Sequence, residues 1–292
     1  MMRSRFILLC GFVVWATGAL AQPPASTTTP PLPSDPIAGD WKAIPDDDVM
    51  VITLTGNRRI AIRLAARFAP AHIANIRALA RAHWWDAASV YRVQDNYIVQ
   101  WGDATEKKPL PPSIVKVPAA EFDIPGFDVA QTLAAHDAYS TASGFTADGW
   151  PVATNGAAAW LTHCYGSVGV ARDVSPDTGS GAELFAAIGP ARRLDRNYTV
   201  VGRVIEGMAA LSALPRSDAP LGFYASEAER SPIISVRLAS DMPAAQRPKF
   251  EYRATDNPRF AALIALREHP QGMTALGGVD VCDVPLATRR AP

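Results

Sequence analysis

Residues 90–93 (Val-Tyr-Arg-Val) and 97–101 (Tyr-Ile-Val-Gln-Trp) are two short apolar runs on either side of a polar Gln94-Asp95-Asn96 turn. That pattern reads as two strands of one sheet. The polar side chains set into it, Arg92 and Gln100, limit what such a sheet can be. A guanidinium buried without a partner is too costly to serve as packing. Either Arg92 stands at a strand end, paired with a carboxylate such as Asp103, or the sheet carries it for a functional reason. On these residues alone the two readings are even.

The same stretch resembles the active-site segment of the cyclophilin-type peptidyl-prolyl isomerases. Members of that family carry aromatic-His-Arg-Val, a short turn, and then Phe-Met-x-Gln-Gly-Gly-Asp. Here the frame is filled by Val90-Tyr91-Arg92-Val93 and by Tyr97-Ile98-Val99-Gln100-Trp101-Gly102-Asp103. Upstream, alternating residues 51–54 and 59–64 flank Gly56-Asn57 and read as a hairpin. Pro70 then opens a helix to about residue 83, with Ile73, Ile76, Leu79 and Ala80 on one face. This helix resembles the family's Pro-x-x-x-x-Asn-Phe-x-x-Leu as Pro70, Asn75, Ile76 and Leu79. Downstream, residues 166–172, 182–188 and 194–204 resemble the second signature: Gly-x-(Leu/Val)-x-Met-Ala, Ser-Gln-Phe-Phe-Ile, then Leu-Asp-x-x-(His/Tyr)-x-Val-Phe-Gly-x-Val. Several motifs in the right order carry more weight than any one. The resemblance spans roughly residues 45 to 240. It implies a mainly β fold, a closed antiparallel β-barrel with two flanking helices, here with a central insertion and a C-terminal extension.

A prolyl peptide bond isomerises slowly because resonance stiffens it, with a barrier of roughly 18–20 kcal/mol. An enzyme lowers that barrier by holding the proline ring in an apolar pocket and donating a hydrogen bond to the prolyl nitrogen. Pyramidalising the nitrogen removes the partial double bond. The suited donor is permanently charged and fork-shaped, which describes Arg and not Lys, and stabilisation confined to the twisted state accelerates the reaction. The resemblance thus implies Arg92 as the catalytic donor, with Gln100 orienting the substrate carbonyl and supporting Arg92. Tyr97, Ile98, Phe185 and Leu194 would form the proline pocket, with Tyr198 at its rim. Val170, Ala171 and Arg172 would lie beside the peptide backbone. Without the motif, Ile98, Phe185 and Leu194 read as plain core and Tyr198 as a surface aromatic. No cofactor or metal is implied.

Departures from the family pattern bear on rate and substrate range more than on fold. Asp95-Asn96 stands for the usual Pro-Gly, Trp101 for a small glycine, Glu183 for Gln, and Leu184 and Ala186 for Phe and Ile. Arg193 stands where some members have Trp, a change that, by the resemblance, would weaken cyclosporin binding. Trp101, beside Gln100, is expected to crowd the groove or extend it. These changes keep a rival function in view: a proline-peptide-binding scaffold or chaperone module with little or no turnover.

At the N-terminus, Arg3 and Arg5 precede an apolar run over residues 6–15, and Ala19-Leu20-Ala21 offers a cleavage site. Residues 1–21 read as a secretory signal peptide, too short to span a bilayer, with a retained anchor as the alternative. Cys10 follows Leu9, where lipid processing wants a small residue. Residues 22–40 are a Pro/Thr-rich linker expected to be extended, with order from about Trp41. A cyclophilin-like domain then occupies 41–240, with its insertion at about 104–160, and 241–292 is the extension. Cleavage leaves Cys164 and Cys282, either an exported disulfide or two buried thiols. The 28 basic and 28 acidic side chains cancel, and no Lys/Arg cluster supports a nucleic-acid partner. The expectation is a periplasmic monomer of a Gram-negative bacterium. It would act on unfolded or partly folded exported proteins with X-Pro bonds, without stable membrane insertion once the signal is removed.

Helices are expected at 130–142, 206–214 and 257–267, a closing strand at 233–238, and an edge strand at 279–282. Asp177-Thr178-Gly179-Ser180 spells an aspartic-protease signature but lacks a second aspartate to share a proton, so it reads as a turn. The histidines lack zinc spacing, and His72 and His83, on one face of the first helix, are expected on the solvent side. No Gly-rich phosphate loop follows a strand.

Overall fold

The computed structural model describes residues 33–270 and 278–292; the expected signal peptide lies outside them. Past a short strand β1 (Trp41–Ala43), the chain forms the hairpin β2 (Val49–Leu54) and β3 (Arg58–Leu64), helix α1 (Pro70–Arg81), then β4 (Ser89–Gln94) and β5 (Ile98–Gly102). A small inserted sheet follows: β6 (Ile124–Pro125), β7 (Gln131–Thr132), β8 (Ala142–Phe145), β9 (Pro151–Thr154) and β10 (Ala158–Leu161). Next come β11 (Ser167–Val170), β12 (Leu184–Ala187), β13 (Val200–Glu206), α2 (Met208–Ser212) and β14 (Ser231–Leu238). The extension supplies β15 (Phe250–Arg253), α3 (Pro258–Glu268) and β16 (Thr288–Arg290).

Eight strands close a barrel in the order β11-β12-β5-β4-β14-β2-β3-β13, with β13 returning to β11 and all pairings antiparallel. Alternation makes this possible: Met50, Ile52 and Leu54 of β2 and Ile60, Ile62 and Leu64 of β3 point into one core, with Met50 opposite Ile62 and Ile52 opposite Ile60. Helix α1 starts at Pro70, whose missing N–H costs nothing at a first helical turn. It buries Ile73, Ile76, Leu79 and Ala80 in that same core, and Leu211 of α2 joins them.

The inserted sheet is ordered β6-β10-β9-β8-β7. One side packs Trp150, Val152 and Leu161 on Ala65, Phe68 and Val200 of the barrel. The other buries Phe145 against Phe260 and Ile264 of α3 and against Val281 and Val284. The sheet β1-β15-β16 lies over the barrel exterior, where Phe250 meets Val49, Val51 and Ala61. Residues at the end of the Pro-rich stretch are fastened to this assembly: the Ser34 carbonyl accepts from Arg253, and the Asp40 carboxylate accepts from Arg259. Cys164 and Cys282 form a disulfide.

Three local expectations are corrected. Residues 130–142 are not helical; Gln131 and Thr132 pair with Phe145 and Gly144, and the Glu268 carboxylate accepts the N–H groups of Ala134 and Ala135. The alanines suggested a helix, but tertiary partners hold these N–H groups in extended chain. Residues 281–283 form a 3-10 turn capped by Asp280, not an edge strand. His72 is fully buried rather than on the solvent side, with Nδ1 2.6 Å from the Glu121 carboxylate and Nε2 3.2 Å from the Thr178 carbonyl. Among the described residues, no helix is long and apolar enough to cross a membrane.

Candidate active site

Strand register assembles one row of side chains on the barrel's outer face. Arg92 of β4 lies opposite Gln100 of β5, Gln100 opposite Phe185 of β12, and Phe185 opposite Gly169 of β11. A bulge between Val90 and Arg92 turns both Tyr91 and Arg92 to this face, while Val90 and Val93 stay in the core. Gly169 is required by the row: a Cβ there would come within 2.4 Å of the Phe185 ring. The tip of the Phe185 ring therefore reaches over Gly169 of β11.

The row opens on a groove of about 440 Å³. Its apolar part comprises Ile98, Phe185 and Leu194, with Tyr97, Ala171 and Tyr198 packed against them. Phe185 meets Tyr198 edge-on at 5.8 Å and is backed by the His163 ring at 6.1 Å. Arg172 also lines the groove, its guanidinium 4.8 Å from the Tyr198 ring. Of the ten residues expected at the site, only Val170 does not face the groove, because its side chain is fully buried in the barrel core. Alternation along β11 separates it from Gly169. The same rule settles Trp101. It neither crowds nor extends the groove, because its indole points into the core, opposite Gln100.

Arg92 is half-buried on the groove wall and has no carboxylate partner among the described residues. Its Nη1 donates to Gln100 Oε1 at 3.1 Å, its Nη2 to Gln94 Oε1 at 2.8 Å, and its Nε to the Leu221 carbonyl at 2.7 Å. Phe223 stacks beside it, 4.9 Å from the guanidinium carbon. Burial pulls its pKa down, while the tyrosines Tyr97, Tyr91 and Tyr198 pull it up. Each terminal nitrogen carries two N–H groups, and each spends one of them on a glutamine.

Behind Gln100 runs a chain of hydrogen bonds. Gln100 Nε2 donates to Tyr91 Oη, and Tyr91 donates to Glu183 Oε2 at 2.6 Å. The Asp103 N–H donates to Glu183 Oε1 at 2.7 Å. Burial pushes the Glu183 carboxyl up to about 7, against those two donors, and raises the Tyr91 phenol. Gly102 makes the contact possible, since a Cβ there would sit 1.9 Å from the Glu183 carboxylate.

Sequence reasoning missed three contributors. Tyr91 falls inside the motif but was given no task. Glu183 was read only as a departure. Phe223 had no signal at all: it reaches the groove because the chain before β14 runs back along β4, with the Tyr224 N–H donating to the Tyr91 carbonyl. Asp177 and Ser180 also line the groove, in a turn where Asp177 Oδ1 accepts from the Gly179 N–H.

The family described as "Cyclophilin type peptidyl-prolyl cis-trans isomerase/CLD" matches residues 49–237. The structure is similar to the crystal structure of cyclophilin AquaCyp293 from Hirschia baltica, with a TM-score of 0.67 and 23% identity over 86% of this chain and 93% of that one. A cyclophilin-type peptidyl-prolyl cis-trans isomerase from Cryptosporidium parvum, crystallised in the presence of the dipeptide ala-pro, aligns at a TM-score of 0.42 and 13% identity, over 65% of this chain and 98% of that one. No curated protein sequence matches the chain.

Proposed function

The chain belongs to the cyclophilin-type peptidyl-prolyl cis-trans isomerase family, and from that premise we propose that Arg92 catalyses isomerisation of X-Pro bonds in exported proteins during their folding. The carrying observation is a guanidinium with no carboxylate partner among the described residues, on the wall of an apolar groove and braced by Gln100. A proline ring seated against Ile98, Phe185 and Leu194 brings its nitrogen toward the free N–H groups of Arg92. Donation to that nitrogen is strongest when it pyramidalises, so the bond favours the twisted state over either planar one. Gln100 aims Arg92 by accepting from Nη1, and Tyr198 with Arg172 closes the rim. Supporting export are the signal-like N-terminal residues and the Cys164–Cys282 bond, since disulfides persist in oxidising compartments.

One observation favours a second reading, a proline-peptide-binding module with little turnover: Arg92 already spends its Nε on the Leu221 carbonyl and lies against Phe223. A protease-coupled prolyl-isomerisation assay separates the two. The enzyme reading expects Arg92→Ala to lower kcat/KM by about 10²-fold or more, the scale of a lost transition-state donor. Background rates in both the unaltered protein and the variant, with peptide binding retained, would instead establish the binding module.

A further inference from the structure

A second cavity lies on another part of the barrel wall, under the C-terminal extension. The register places Ser167 of β11 opposite Arg203 of β13, and Arg203 opposite Arg63 of β3. These three polar residues therefore share one row on the outer face. Arg63 is fully provided for: it pairs with Asp148 at 3.1 Å and lies between the rings of Trp150 and Tyr252. Arg203 is not. It donates one hydrogen bond, to the Leu286 carbonyl at 3.1 Å, and no carboxylate among the described residues lies within ion-pair distance. Burial, and then the neighbouring Arg63 charge, lower its pKa to about 10. Ser167 is 5% exposed, and its buried hydroxyl has no partner among the described residues.

Both residues line a cavity of about 170 Å³. Most of the remaining wall is apolar, with Leu161, Val200, Val284 and Leu286 among its residues, and Thr162 and Tyr165 add polar side chains. An apolar cavity of about 150 Å³ is large enough to hold a benzene ring. The site thus combines room for a small apolar body with a cation that has no carboxylate partner among the described residues. A carboxylate is planar and matches the guanidinium fork.

We propose that this cavity binds a small monocarboxylate with an apolar aromatic or branched body, its carboxylate held by Arg203. The site is distinct from the proline groove, shares no lining residue with it, and does not rest on the isomerase reading. An anion here also relieves the repulsion between Arg203 and Arg63.

The test uses the full chain with methyl labelling, titrated by NMR with sodium benzoate and, separately, with neutral benzyl alcohol. Saturable shifts are expected at the methyls of Val200, Val284 and Leu286. Benzoate should bind at least about tenfold more tightly than benzyl alcohol, as a charge-assisted pair requires. Arg203→Met should bring benzoate down to the level of the alcohol while prolyl isomerisation stays unchanged. Equal affinity for the two ligands in the unaltered protein overturns the proposal without relying on any variant. So do shifts confined to the groove around Phe185, or benzoate binding that survives Arg203→Met.

Discussion

Glu183 is a carboxyl on which burial and hydrogen bonding act in opposite directions. Burial raises its pKa to about 7, while Tyr91 and the Asp103 N–H, both donors, favour the charged form. The folded chain therefore keeps a proton that the unfolded chain releases near its ordinary value of 4.5. Through this group, stability is greatest at low pH, falls as pH rises from about 4.5 to about 7, and is level above that. The urea midpoint of Glu183→Gln should accordingly fall less between about pH 5 and about pH 8 than that of the unaltered protein; identical slopes would show that the carboxyl is not held protonated. At Gly169 the expectation concerns shape. An added methyl meets the Phe185 ring at 2.4 Å, so Gly169→Ala should tilt the ring and reduce kcat/KM toward X-Pro peptides by about tenfold or more. Kinetics on the folded variant, with circular dichroism as a control, check this. Arg92, Gln100 and Phe185 were legible because their spacing survives in the motif. Glu183 was legible only as an oddity, since its meaning depends on Tyr91 and Gly102 meeting it across strands, and no linear pattern carries that.

Among the elements, helix α1 does two jobs with two faces. Its apolar stripe fills the barrel, and that stripe was plain from the 3.6-residue period. Asn75 stood out in the family pattern, but the burial of Asn75 and His72 was not legible, because a His or Asn near an apolar face reads equally well as solvent-facing. In the fold, the Glu121 carboxylate accepts the N–H groups of Ala71 and His72 at the helix start and touches the His72 ring. Asn75 Nδ2 donates to the carbonyls of Val115 and Ser180, and its Oδ1 accepts the Val115 N–H. The helix thereby fixes two loops whose Lys116 and Ser180 line the groove. Asn75→Ala leaves three backbone groups without their partner, so a loss of about 1–3 kcal/mol is expected in urea unfolding. The Val115 amide should exchange faster by hydrogen exchange, before global unfolding. A variant of unchanged stability and exchange would mean that water replaces the amide and the clamp is dispensable.

For the molecule as a whole, the departures from a minimal barrel act as one unit. The inserted sheet, α3 and residues 281–284 share an apolar cluster centred on Phe145 and Phe260. A buried ionic network runs beside it, with Arg192 donating to Asp137, Asp195 and Asp280. The partners of the extension lie far away in sequence, Asp280 88 residues from Arg192 and Cys282 118 from Cys164, so no local signal names them. The Cys164–Cys282 bond ties the extension to the barrel just before β11, across a sequence separation of 118 residues. Closing a loop of that order restricts the unfolded chain by about 4–5 kcal/mol in the chain-entropy account, and losing a native disulfide typically costs about 2–5 kcal/mol. The paired variant Cys164→Ser, Cys282→Ser should therefore unfold at lower urea concentration by an amount in that range. Because the barrel's own core does not depend on the bond, the loss should be uneven. Limited proteolysis is expected to cut first within residues 250–292, while the barrel retains its protection and its response to X-Pro peptides. If the barrel instead unfolds together with the tail at the same denaturant concentration, the extension is an integral part of the cooperative core rather than a module fastened onto it.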